Sequence, residues 1–216
     1  MRPTFFGEMI FSLWLVYQTR TVDRAVEDKR FHHMDMSRPI AEIFVEGELS
    51  PFEHEALYKL LKKHFRLEQP SYSELLDETI GTRVNIIFHH PYERSFFTDI
   101  FQEDWRDLKD LFKQIRYRRG RLGAAFTLTF ADEKIRLTFS SGLLGDEELG
   151  SAMDQIAHLT SIVGQMLRSE TMVEPLVQVE TRYDKRSDRW QGFRGVGLND
   201  RKEYFFDESL FRWKTG

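Results

Sequence analysis

Between Thr82 and Tyr183 the apolar residues change their spacing in an order that admits few folds. Apolar residues at every second position mark a strand, and recurrence at three and four marks one face of a helix. Arg83–His89 alternates. Glu93–Tyr117 then places Phe97, Ile100, Phe101, Trp105, Leu108, Leu111, Phe112 and Ile115 at helical spacing. Ala124–Ala131 and Lys134–Ser140 alternate again, and Asp132-Glu133 between them reads as a tight hairpin. Asp146–Leu167 returns to the helical period through Leu149, Met153, Ile156, Thr160, Val163 and Leu167, and Leu176–Tyr183 closes as a strand. The succession β-α-β-β-α-β predicts an α+β fold with a ferredoxin-like core at 82–183. The order usual for that fold places the last strand beside the first, the first beside the third, and the third beside the second.

The residues ahead of this core read as a strand–helix extension, 1–81, packed on the core to make one compact unit. Met9–Gln18 is apolar on both faces and reads as a central strand. Thr21 caps a short helix, Val22–Arg30. Ile40–Glu46 is a further strand. Ser50 caps a helix that opens with Pro51 and carries Phe52, Ala56, Leu57, Leu60, Leu61 and Phe65. "EQPSYSELLDETIGT" reads as a loop. Beyond Tyr183 the chain predicts a hairpin and an aromatic tail, Tyr204, Phe205, Phe206, Phe211 and Trp213, that docks on the core or forms an interface.

Composition narrows the chemistry. With no cysteine, the chain has no disulfide framework, thiolate zinc site, iron–sulfur cluster or cysteine nucleophile. A net charge of −4 argues against a general nucleic-acid binder, whose domains are usually basic. Its 19 Phe residues supply a bulky core. The most apolar run, Met9–Tyr17, is far short of the ~20 residues of a membrane-spanning helix. It also lacks the flanks of a secretion signal. These features predict a cytoplasmic protein with no membrane partner.

Apolar alternation assigns Ile86, Phe88, Phe126, Leu128, Phe130, Ile135, Leu137, Phe139, Val177 and Val179 to the sheet face beneath the helices. The opposite face receives Asn85, Ile87, His89, Thr127, Thr129, Arg136, Thr138, Gln178, Glu180 and Arg182. In the ferredoxin-like order Asn85, His89, Arg136, Glu180 and Arg182 would form one cluster. RNA-recognition domains of similar strand order stack bases on aromatics at the central positions of this face. Asn85, Ile87, Arg136 and Thr138 stand there instead.

A second basic feature is the run Lys113–Arg121, with Arg116, Arg118, Arg119 and Arg121 and no acid. A helix end accounts for it, since cations at a C-terminus oppose the macrodipole and Gly120 suits the cap. The helix end accounts less well for the number of cations, which an anionic partner would explain. Arg194 lies in the glycine-rich stretch Gly192–Gly197 and adds another cation. The histidines give little: His33, Asp35, His89 and His90 would make a sparse metal set, and "EHE" at Glu53–Glu55 lacks the second histidine of a zinc-protease helix. The chain carries no nucleophile elbow and no phosphate-binding glycine loop of the Walker type.

The sequence is read as a non-catalytic interaction protein that binds a protein partner or self-associates, with no cofactor and no metal. The alternative is a nucleic-acid-binding or RNA-processing protein using Arg116, Arg118, Arg119, Arg121, Arg136, Arg182 and Arg194. A third reading is a metal-dependent hydrolase.

Overall fold

In a computed structural model, residues 38–68, 81–168, 170–172 and 174–216 are described. The expected strand Met9–Gln18, the helix Val22–Arg30 and the residues His33 and Asp35 lie outside them, as does most of the loop after Glu68. Pro39–Gly216 forms one compact unit.

Its frame is a mixed sheet of nine strands among the described residues. They are β1 (Ile40–Glu46), β2 (Arg66–Glu68), β3 (Thr82–Phe88), β4 (Ala124–Ala131), β5 (Arg136–Ser140), β6 (Leu176–Asp184), β7 (Arg189–Gly197), β8 (Glu203–Asp207) and β9 (Arg212–Thr215). Their order across the sheet is β2-β1-β3-β4-β5-β6-β7-β8-β9. The helices are α1 (Pro51–Lys62), α2 (Gln102–Arg119), α3 (Asp146–His158) and α4 (Thr160–Met166).

The β-α-β-β-α-β succession from Thr82 onward is present, but the ferredoxin-like strand order is not. β3 pairs directly with β4 in parallel, from Thr82↔Ala124 to Phe88↔Phe130, and β5 pairs directly with β6 in parallel, from Arg136↔Gln178 to Ser140↔Arg182. In the expected order each helical crossover would skip one strand. Here each crossover returns to the neighbouring position, so the four strands lie side by side in chain order. The sheet then extends on both flanks. β1 joins the free edge of β3 antiparallel, and the hairpins β6–β7, β7–β8 and β8–β9 continue the other side. The elements expected to add to the core therefore include at least one strand at its edge.

The inward alternation is close to the reading from sequence. Ile43, Val84, Ile86, Phe88, Phe126, Leu128, Phe130, Leu137, Phe139 and Val179 are buried in one core cluster with the apolar faces of the helices. β4 is buried along most of its length, as befits a central strand. Val177 departs from the expected inward position. A β-bulge between Leu176 and Gln178 gives the inward place to Leu176 and leaves Val177 half-buried.

Two helices differ from expectation in a way packing explains. The predicted helix from Glu93 begins instead with a wide π turn, Phe96–Ile100, broken at Phe101 before α2 starts. The wide turn brings Phe96 in beside Phe97 and Phe101. Phe96 then lies 4.9 Å from Phe88 and 5.0 Å from Phe130, and Phe97 lies 4.9 Å from Trp105, ring centre to ring centre. The helix predicted over Asp146–Leu167 breaks at Leu159 into α3 and α4. Thr160 Oγ1 turns back to the Ala157 carbonyl at 3.5 Å, an interaction that bends helices.

The aromatic tail forms the hairpin β8–β9 and alternates. Tyr204 and Trp213 are buried, and Trp213 Nε1 donates to the Met166 carbonyl at 2.8 Å. Phe205 and Phe211 remain exposed.

Candidate functional site

The run Lys113–Arg121 is tied into the protein's own structure. Arg118 Nε donates to both carboxylate oxygens of Glu53, at 2.8 and 2.9 Å, and its Nη2 reaches the Glu48 carbonyl at 3.1 Å. Arg119 pairs with Glu48 at 2.9 Å, and Arg116 lies 3.5 Å from Asp146. Gly120 ends α2 with a φ of 53° and donates to the Arg116 and Tyr117 carbonyls. The protein's own acids thus engage three of the arginines, while Arg121 is exposed in the turn that follows.

Glu53 and Asp104 are buried carboxylates in this layer. Burial alone would raise both. Hydrogen bonds outweigh it, from Arg118 and Ser50 at Glu53 and from Lys63 and His64 at Asp104, and hold each below its ordinary value. Lys63 reaches Asp104 at 2.5 Å, and His64 bonds its second oxygen. His64 also stands edge-on to Phe101, 5.5 Å away. The cluster ties the end of α1 to the start of α2. A cleft of about 750 Å³ lies between α2 and α3, beside Lys113, Tyr117 and Gly150. Its acids Asp146 and Asp154 already face Arg116 and Lys109.

The face of the sheet away from the helices carries the remaining candidate side chains. Strand register fixes what stands beside what. One row runs Glu42, Ile87, Thr129, Thr138, Glu180, Arg194, Phe205, Lys214 from β1 to β9. The neighbouring row runs Phe44, Asn85, Thr127, Ser140, Arg182, Gln191. Arg136 and Arg182 share this face, four positions apart along the β5–β6 pair.

The five residues expected in one cluster fall into two depressions at opposite ends of the strands. His89 and Arg136 line one of about 540 Å³ beside the β4–β5 turn. Asn85, Glu180 and Arg182 line another of about 490 Å³, with Glu46, Arg83, Thr127 and Ser140. The division runs along the strands: His89 stands four positions beyond Asn85, and Arg136 four positions from the Ser140–Arg182 pair. A smaller depression of about 290 Å³ shares Glu180 and Arg182 and extends to Arg194.

The partners on this face are mixed in sign. Arg83 pairs with Glu46 at 3.1 Å, and His89 Nε2 lies 2.5 Å from Glu42. Glu180 accepts from Gln178 at 2.6 Å, and the Arg194 guanidinium stands 5.4 Å from the Phe205 ring centre. Arg136 and Arg182 are exposed with no side-chain partner among the described residues.

Ser140 and Arg83 escaped the sequence reading. Extending each strand's alternation by one step would have found them, since Ser140 follows Arg136 and Thr138, and Arg83 precedes Asn85. Among the described residues no group of three His, Asp or Glu side chains could hold a metal ion, and no helix is long and apolar enough to cross a membrane. No protein-family model, curated protein or solved structure matches the chain.

Proposed function

We propose that the protein is a non-catalytic interaction module that engages a protein partner, a second copy included, through the face of its sheet that lies away from the described helices. The observation that carries this reading is the row from Glu42 to Lys214. It sets acids, hydroxyls, an aromatic ring and cations in register across almost the full width of the sheet. Surfaces of interleaved sign obtain specificity from complementary charge on the partner.

A nucleic acid is the less suitable partner. Its phosphates would meet Glu42, Glu46 and Glu180 among the arginines, and Arg116, Arg118 and Arg119 are engaged by the protein's own acids. Phosphate contacts are strongest at low ionic strength. Under that condition the chain is expected to give no salt-sensitive RNA titration.

The test compares wild type with the double variant Arg136→Glu/Arg194→Glu. Sedimentation velocity across a concentration series detects self-association. Affinity capture from cells that produce the protein detects other partners. Binding lost in the double variant and kept in Arg121→Glu supports the sheet face. Equal binding by all three proteins removes it.

A further inference from the structure

The row Asn85–Thr127–Ser140–Arg182 stands apart from the rest of the face, because its hydrogen-bonding capacity is largely unspent. In the adjacent row Thr129 and Thr138 satisfy each other at 3.1 Å. Thr127 and Ser140 are directly opposite in the same strand pair, yet neither hydroxyl has a side-chain hydrogen bond among the described residues. Asn85 spends one donor on Glu46 at the long distance of 3.4 Å. Arg182 has five N–H donors and no side-chain partner among the described residues. All four side chains border the same depression of about 490 Å³.

We infer that this row binds a small ligand bearing a carboxylate or phosphate group. The guanidinium of Arg182 presents the planar fork that takes two oxygens of such a group. The Ser140 and Thr127 hydroxyls stand next in line as donors, and the Asn85 amide offers both a donor and an acceptor at the far end. Adjacent strands lie about 4.8 Å apart, so the row spans roughly 14 Å from β3 to β6. That length suits an extended molecule with its anionic group on Arg182 and a polar group near Asn85.

The acids at the rim set the charge balance. Glu46 is matched by Arg83 at 3.1 Å, so that pair contributes little net field. Glu180 sits two residues from Arg182 on the same face and opposes an incoming anion. Removing the Glu180 charge therefore strengthens binding, while removing the Arg182 charge weakens it. The site does not depend on a macromolecular partner for the face, and the variants here differ from those that test that reading. Either can fail alone.

The experiment is a nitrogen-15 NMR titration at pH 7 with inorganic phosphate and, separately, with succinate, each against sodium chloride of equal ionic strength. The expected result is a saturable shift of signals from Asn85, Thr127, Ser140 and the Arg182 Nε–H with at least one of the two anions. Phosphate alone identifies a phosphate-bearing ligand, and succinate alone a carboxylate. Affinity should fall about ten-fold or more in Arg182→Gln, consistent with loss of a bidentate charged pair. It should fall by a smaller factor in Ser140→Ala, rise in Glu180→Gln, and stay unchanged in Arg121→Gln. Shifts reproduced by chloride, no shift with either anion, or an unchanged titration in Arg182→Gln would each overturn the inference.

Discussion

Glu53 serves two structures with one carboxylate. Its backbone N–H donates to Ser50 Oγ at 3.2 Å while its own oxygen accepts the Ser50 N–H at 2.7 Å, closing a capping box at the start of α1. The same carboxylate receives Arg118 from the far end of α2. The sequence shows the first role, since Ser-Pro-Phe-Glu has the spacing of a capping box. It does not show the second, because nothing local selects Glu53 over the exposed Glu55 as the partner of an arginine 65 residues away. Replacing Glu53 by Gln keeps the shape and removes the charge. With Arg118 about one-third exposed, a loss of about 1.5 kcal/mol is expected at pH 7, the lower end of the range for a hydrogen bond to a charged group. The pH dependence has a definite sign. The folded value lies below the ordinary 4.5, so the contribution is complete above that pH and is lost as pH falls further. Thermal melts should show the gap between wild type and Glu53→Gln closing as pH falls below about 4.5. A constant gap would assign the loss to something other than ionised Glu53.

The turn before α2 shows how packing overrides a regular period. A helix running straight from Glu93 would direct Phe97, Phe101 and Trp105 inward at intervals of four and point Phe96 aside. The π turn brings Phe96 to full burial among Phe65, Phe88, Phe97 and Phe130. Periodicity located the helix but had no term for ring-to-ring packing with β3 and β4, so the irregular turn was not legible. Phe96→Ala should cost about 3–5 kcal/mol in urea unfolding, as for a large side chain removed from a packed core. Phe52 is 71% exposed on α1, and Phe52→Ala should cost less than about 0.5 kcal/mol. A Phe96→Ala loss below 1 kcal/mol would mean that the aromatic cluster does not fix the turn.

At the scale of the whole molecule, the sequence showed which residues face inward but not which strands are neighbours. The same alternation in Thr82–Phe88 and Ala124–Ala131 serves a direct parallel pair and a pair separated by another strand equally well. Register decides between them, and it depends on contacts between segments distant in sequence. This is why Asn85 and His89 are expected from sequence beside the last strand, from which β4 and β5 separate them. The C-terminal tail poses the same question at the other flank, where β8 and β9 either stabilise the sheet or merely decorate it. Trp213 is 1% exposed, its indole N–H bonds the Met166 carbonyl, and its own amide donates to the Thr171 carbonyl at 2.9 Å. Its ring also lies 5.4 Å from Phe206, within one hairpin. These contacts make the tail part of the core. Trp213→Ala should therefore cost about 3–5 kcal/mol, and deletion of Arg201–Gly216 at least as much, because it also removes Tyr204 and exposes the edge of β7. Urea unfolding followed by circular dichroism reads both. If the truncated chain unfolds at the wild-type urea concentration, β8 and β9 are dispensable and the hairpin is free to serve an interface alone.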